Sequence, residues 1–353
     1  MAQIINAIFT TSLGEKWRNQ DLLPHYQKAI ESLPLELEKK EAISEATKYF
    51  LMGERERNGV PNWLELSSFE ERADAFERLA EKILDHLAEQ IHVSADRHQK
   101  AVVFDAVITT TSTGNLMPGL SYRLATKLGQ RIRADTAFFD LGNVGCTGSL
   151  KALSLASSLD DSFKNILVIS VEAPTTLINL KAKTVDIWQG NCTFGDGAAA
   201  LWLSSTPNAD RASLKIDKIV YQQYAKTGLD LIRWKYSDYY TFALANENTF
   251  NKEVQAHVFQ ALSKTQADWQ DSDSWAIHPA GITLLLRLSR KLGISRQALK
   301  PSAKHFEQFS NMSSASIIHI LKQISEDLPI GASCNLLTMG AGFNVIYGRI
   351  LKE

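Results

Sequence analysis

A seven-residue phrase occurs twice in this 353-residue chain, RLATKLG at Arg123–Gly129 and RLSRKLG at Arg287–Gly293, and a side chain capable of chemistry follows each copy. Cys146 lies 17 residues beyond Gly129, Asn311 lies 18 beyond Gly293, and His278 stands just upstream of the second copy. The pattern predicts a duplicated α/β unit whose halves meet at a pseudo-twofold axis. A thiol from residues 1–205 would then face an imidazole and a carboxamide from residues 206–353.

The order of elements supports that reading. Helical periodicity runs from Glu36 to Ile91 through Ala42, Ala46 and Phe50, then Phe76, Leu79, Ile83 and Leu87, with a turn at Asn58–Asn62. Ala101–Thr109, Thr136–Asp140, Ile166–Val171 and Gly195–Leu203 read as strands, with helices at Leu120–Leu128 and Cys146–Leu159 between them. After the polar stretch Ser204–Ser213 the order restarts. Strands are expected at Leu214–Tyr221 and Ser274–Ile277, helices at Asn251–Ser263, Ile282–Leu292 and Ser313–Ile324, and two strands within Cys334–Ile350. Alternating strands and helices imply a sheet covered on both faces.

Charge excludes some functions. The 38 Lys and Arg nearly cancel 39 Asp and Glu, so no global field favours nucleic acid or an anionic membrane. No apolar run reaches the roughly 18 to 20 residues of a membrane span, and MAQIINAIFTTSLGEKW lacks a basic leader or a cleavage pattern. An odd set of three cysteines, Cys146, Cys192 and Cys334, speaks against a disulfide framework and fits a reducing cytoplasm.

Cys146 follows Gly145 at a predicted strand-to-helix corner, where free backbone N–H groups favour a thiolate; the alternative is a packed core cysteine. His278, in SWAIHPAG, emerges where a strand gives way to Pro and Gly, or is merely structural. Asn311, in FSNMSSAS, either caps the following helix or presents its amide to a site. Together the three have a coherent task. A thiolate accepts an acyl group, while an imidazole N–H and an amide N–H stabilise an enolate or a tetrahedral oxyanion. Cys192 and Cys334 read as packing residues. Phe194–Gly197 (FGDG) reads as a bend, and the Gly340-Ala341-Gly342 turn is either a plain hairpin or a backbone contact for a thioester carbonyl.

These residues resemble the thiolase-like condensing enzymes, most closely the chalcone synthase-like (type III) polyketide synthases, with ketoacyl synthase III as a neighbouring family. The likeness rests on Thr111–Gly129, the Gly145–Cys146 corner, Phe194–Leu201, WAIHPAG at Trp275–Gly281 and NMSSAS at Asn311–Ser316, with a looser match at Met339–Phe343. It implies a five-layer αβαβα fold and decarboxylative Claisen condensation of an acyl starter with a malonyl thioester. Cys146 would be the nucleophile, with His278 and Asn311 promoting decarboxylation. Phe194 matches one gatekeeper and Phe250, less closely, a second. Ser313 stands near the nucleophile, Gly342 lies in the Gly-rich turn, and Met117 matches a residue reaching into a partner subunit, which implies a homodimer. Pro174 and Leu177 replace threonines that shape the cavity of chalcone synthase itself, and Ala341 replaces a proline of the plant enzymes.

The family's basic cluster for coenzyme A has only Lys48, Arg55 and Arg57 in the corresponding region, and these alternate with acids as on a solvated helix face. Coenzyme A or acyl-carrier-protein thioesters are the expected substrates. No metal or redox cofactor is implied. The HisPro and AsnMetSerSer pairs favour the polyketide branch over a ketoacyl synthase III-like enzyme that condenses once or joins two carrier-bound chains. Acyl transfer without carbon–carbon bond formation is a further alternative.

Overall fold

The computed structural model describes residues 4–98, 101–207, 213–236, 240–245, 247–265 and 268–353. Residues 208–212 of the polar stretch lie outside them. In chain order the first half contains β1 (Ile4–Thr11), β2 (Glu15–Arg18), α1 (Asn19–Glu31), α2 (Leu37–Phe50), β3 (Glu56–Gly59), α3 (Phe69–Ala95) and β4 (Phe104–Thr111). It continues with α4 (Leu120–Leu128), β5 (Ile132–Gly142), α5 (Gly148–Ser158), β6 (Asn165–Glu172), α6 (Val185–Thr193) and β7 (Gly197–Ser204). Then come β8 (Leu214–Gln223), α7 (Ala225–Leu231), β9 (Ile232–Tyr236), β10 (Tyr240–Leu244), α8 (Glu247–Leu262), β11 (Ser274–Ile277) and α9 (Ile282–Leu292). The chain ends with α10 (Arg296–Phe309), α11 (Ser316–Asp327), β12 (Ser333–Gly340) and β13 (Asn344–Lys352).

Nine of these strands share one hydrogen-bonded sheet, ordered β11-β12-β13-β8-β1-β7-β6-β4-β5. Its middle is thin: β1 meets β8 only at Ile4↔Lys215 and Ile5↔Leu214. On one side β1–β7 and β7–β6 are antiparallel and β6–β4 parallel; on the other β8–β13 and β13–β12 are antiparallel and β12–β11 parallel. The same pairing sequence thus runs twice, outward from the β1–β8 contact.

The repeated phrase has a physical explanation in this arrangement. Each copy is the end of an amphipathic helix, α4 or α9, burying Leu124 and Leu128 in one and Leu288 and Leu292 in the other. Each carries basic residues in the last turn, favourable at the negative helix end, and stops at a glycine with positive φ, +54° at Gly129 and +69° at Gly293. The halves then diverge. Where the first continues into edge strand β5, the second continues into α10.

Strand alternation sorts side chains into three cores. In β6, Ile166 and Val168 enter a central core while Leu167, Ile169 and Val171 enter an outer one with α1 to α4. In β12, Cys334 and Leu336 enter the same central core, and Leu337 and Met339 join α8 and α9 on the other side. Helices α5 and α11 fill the centre through Leu150, Leu153, Ile317 and Ile320. Helix, sheet, helix, sheet and helix therefore stack in five layers, the αβαβα arrangement that the resemblance implies.

The turn expected at Asn58–Asn62 is partly strand, because Glu56–Gly59 pairs with Glu15–Arg18. The central layer carries much of the stability. Ile320 is wholly buried there, so Ile320→Ala should lower unfolding free energy by about 2–5 kcal/mol, whereas Leu37→Ala, at an exposed position, should stay within about 0.5 kcal/mol. Urea unfolding checks both.

Candidate active site

Both halves place the start of their central helix at the same end of the sheets. Gly145 takes a φ of +60°, and a short 3₁₀ turn, Gly145–Thr147, leads Cys146 into α5. A matching 3₁₀ turn, Ser313–Ala315, leads into α11, and Asn311 stands just before it. The β12–β13 hairpin closes over the sulfur from behind. A methyl group at Gly340 would lie 3.3 Å from the Cys146 nitrogen, so a side chain there would crowd the nucleophile.

Cys146 and Asn311 line one cavity of about 910 Å³, together with Phe194, Phe250, Leu284, Phe306, Met339 and Phe343. Its walls are mainly apolar, as in most small-molecule sites. The Asn311 carboxamide is oriented by its own chain: Oδ1 accepts from Ser313 N at 2.8 Å, which leaves Nδ2 as the donor available to the sulfur. Asn311 is also stitched to the other half. Its N–H donates to Thr193 O and its carbonyl accepts from Gly195 N, both at 3.0 Å, so that Phe194 and Asn311 form a backbone bridge. The FGDG segment is therefore more than a bend. A Cβ at Gly195 would lie 2.6 Å from Phe309 O, so only glycine permits this approach.

His278 follows β11 directly, anchored by its N–H to Leu337 O at 2.8 Å. Its ring is 1% exposed, and neither nitrogen has a hydrogen-bond partner among the described residues. Ala280 and Gly281, just beyond it, line the cavity. Burial holds the His278 imidazole down to about 3, so it is neutral near pH 7.

The expectation of a resting thiolate is overturned. Burial, joined by the charge of Glu172, pushes the Cys146 thiol up to about 12; hydrogen bonds from Ser313, its own backbone and Asn311 act in the opposite direction but are outweighed. Desolvation wins over the helix terminus.

Glu172, which the sequence reading passed over as the end of a strand, is wholly buried beside the nucleophile corner. Its carboxyl oxygens accept from Ser112 N at 3.1 Å, Thr113 Oγ1 at 3.0 Å and Ser313 Oγ at 3.2 Å, and from Ser314 Oγ. Ser112 Oγ in turn accepts from Gly145 N at 2.7 Å. One carboxyl group at the end of β6 thus joins the segment after β4, through it the Cys146 corner, and the loop before α11. The available signal was a single acid closing a mainly apolar strand, at the carboxyl end where α/β sites form.

The remaining expected site residues divide. Phe194 and Phe250 line the cavity, and Ser313 contacts the sulfur. Pro174, Leu177 and Gly342 do not line it, although Ala341 and Phe343 on either side of Gly342 do. Met117 is 96% exposed, and Lys48 is exposed beside Tyr49 at the cavity mouth. Arg57 cannot meet a phosphate: it is wholly buried, with its guanidinium on the carbonyls of Asn191, Cys192 and Phe194 and on Asn19 Oδ1. Arg55 lines the cavity wall but is 8% exposed, held by Phe50 O and Cys192 O and stacked over Phe306.

Comparison with known proteins agrees with this geometry. Residues 139–220 match the 3-oxoacyl-[acyl-carrier-protein] synthase III family, and residues 241–347 match the C-terminal domain of chalcone and stilbene synthases. The fold is shared with the C-terminal type III polyketide synthase domain of Steely1 from Dictyostelium (TM-score 0.85, 17% identity). It is shared equally with 1,3,6,8-tetrahydroxynaphthalene synthase from Streptomyces coelicolor A3(2) (TM-score 0.85, 18% identity). Each superposition covers 100% of this chain and 99% of the other. The chain thus shares the fold of these two type III polyketide synthases. Type III polyketide synthase B of Arabidopsis thaliana is 25% identical over 230 residues, covering 63% of this chain and 58% of the relative, less than two thirds of its length.

Burial raises the Glu172 carboxyl to about 7, against an ordinary value of 4.5. The folded state therefore binds this proton more tightly than the unfolded chain, and the associated stability is fully present below pH 4.5 and is lost as pH rises through 7. The effect is on the order of 3 kcal/mol. Glu172→Gln should remove this part of the decline in urea stability between pH 4.5 and 7; an unchanged slope would show that the group does not titrate there.

Proposed function

We propose that this chain is an acyl-thioester condensing enzyme of the type III polyketide synthase kind, joining an acyl starter to malonyl units by decarboxylative Claisen condensation. The observation that carries this reading is the shared cavity: the Cys146 sulfur and the donor face of the Asn311 amide meet in an apolar space, with His278 buried at the same strand ends.

In this scheme Cys146 Sγ attacks the starter thioester as its proton passes to neutral His278. The departing group leaves as a thiolate that takes its proton from solvent, so that His278 stays protonated until the Cys146 thiolate is released and takes that proton back. The malonyl thioester then loses carbon dioxide. Asn311 Nδ2–H and the protonated His278 nitrogen hold the enolate oxygen, and the enolate carbon attacks the acyl group on Cys146, forming the carbon–carbon bond and releasing the sulfur as thiolate. A dry chamber strengthens both donors. Phe194 and Phe250 would narrow the passage between the sulfur and the main space.

Substrates are proposed to be coenzyme A or carrier-protein thioesters, with Lys48 and Arg55 as the remaining candidates for phosphate contact. A homodimer fits the exposed edge strand β5, whose Phe138, Phe139 and Leu141 are only half-buried, and the projecting Met117. The halves are taken to divide near residue 205, and three free cysteines suit a reducing cytoplasm. No helix among the described residues is long and apolar enough to cross a membrane.

A second reading, one condensation in the manner of ketoacyl synthase III, is favoured by the match to that family over 139–220, which includes Cys146. Product length separates the two. Incubation with a panel of acyl thioesters and labelled malonyl-CoA should give carbon-labelled products with several extensions; a single extension would favour the second reading, and label-free products would reject condensation. Cys146→Ala should abolish acyl labelling and product. His278→Ala and Asn311→Ala should retain partial acylation yet lose malonyl decarboxylation by about 10²–10³-fold.

A further inference from the structure

Behind His278 lies a second imidazole that the condensing scheme does not use. His305, on α10, is wholly buried, and neither of its ring nitrogens has a hydrogen-bond partner among the described residues. Its neighbours are rings: Phe309 at 5.4 Å and His319 of α11 at 5.6 Å between centroids. His319 is occupied, with Nε2 at 2.9 Å from Ala198 O. A buried imidazole without a partner is costly, and a phenylalanine would suit an aromatic stack better. The retained polarity calls for a polar counterpart.

Chain geometry supplies one. Ser302 hooks α10 to β11, since its Oγ accepts from Ile277 N at 2.9 Å and donates to Trp275 O at 3.4 Å. Both elements run toward the cavity, which β11 reaches at Ala280 and Gly281 and α10 at Phe306, Glu307 and Asn311. His305 is three residues past Ser302, about 4.5 Å further along the helix on the same face, and His278 is one residue past Ile277, about 3.3 Å further along the strand. The two unpartnered rings therefore stand abreast. They also interact electrostatically, as do His305 and His319; these are the titratable groups facing His305 from β11 and α11.

We infer that His305 is a positioning residue for His278, accepting, through one bridging water, a hydrogen bond from the His278 ring nitrogen that faces α10. That bond fixes the tautomer. The α10-facing nitrogen keeps the proton, the cavity-facing nitrogen is left as the base for the Cys146 thiol, and the His305 lone pair stabilises the imidazolium once the proton has moved from Sγ. The inference rests on the roles proposed above for Cys146 and His278.

The test uses the full chain and needs no turnover: the rate of Cys146 alkylation by iodoacetamide against pH, together with ring ¹⁵N signals of His278 in histidine-labelled protein. His305→Phe should slow alkylation at pH 7 by about tenfold and turn the single His278 tautomer into a mixture. His305→Gln, which keeps an acceptor, should bring the rate back to within about threefold of the unsubstituted protein. A folded His305→Phe protein with an unaltered alkylation profile and unaltered His278 signals would overturn the inference. If His305→Phe does not fold, a mixture of His278 tautomers in the unsubstituted protein would overturn it equally. His278→Ala separates the two levels: should it leave alkylation unchanged, the Cys146–His278 pairing fails; should it alone slow alkylation, only the role of His305 fails.

Discussion

Two backbone hydrogen bonds at Asn311, one to Thr193 and one from Gly195, determine whether this molecule has a single site or two unrelated helix starts. They lock the turn before β7 against the loop before α11. The two sheets share only a two-residue contact between β1 and β8, so the register between the halves must come from elsewhere. This bridge supplies it together with Glu172, whose carboxyl group accepts from residues of both halves, and with further cross-half hydrogen bonds such as Ser149 to Ser314 and His319 with Ala198. Glycine at position 195 is the steric condition for the bridge, and the Ser313 N–H that holds Asn311 Oδ1 makes the carboxamide point its donor inward.

The chamber so formed is electrically quiet at rest. Its thiol is pushed up, the imidazole of His278, buried two residues before the cavity-lining Ala280, is pushed down, and both are uncharged near pH 7 for the same reason, the loss of water. A neutral resting pair costs little to keep buried. Charge then arises only when substrate is present, in a space where hydrogen-bond donors act strongly because few dipoles compete with them. Serine and threonine donors around Glu172 lower its carboxyl against the larger effect of burial, so its charge too is finely balanced.

Much of this was legible in the sequence, because the duplicated phrase encodes a complete local event: a buried Leu pair, a basic last turn and a glycine stop. Strands β6, β7 and β11 are mainly apolar runs, which parallel and doubly covered strands require. Helices α1 and α10 were not legible, since each contains a proline, Pro24 or Pro301, as its sixth residue, which breaks the pattern on paper. The protonation state of Cys146 could not be read either: local sequence reveals the helix start but not how much water the rest of the fold removes. Arg57 misled for the same reason. A basic residue next to an acid, in a segment where Arg and Glu alternate, looks solvated, yet the fold buries it against four oxygen acceptors.

The claim on which the account turns is that groups from both halves act on one atom. A crystal structure of the protein after carbamidomethylation of Cys146 tests it most directly, because the small amide carbonyl on sulfur occupies the place of an acyl oxygen. The account predicts that oxygen within hydrogen-bonding distance of Asn311 Nδ2 or a His278 ring nitrogen, inside the cavity bounded by Phe194 and Phe343. An adduct directed away from both groups, or a sulfur that cannot be modified in the folded protein, would contradict it.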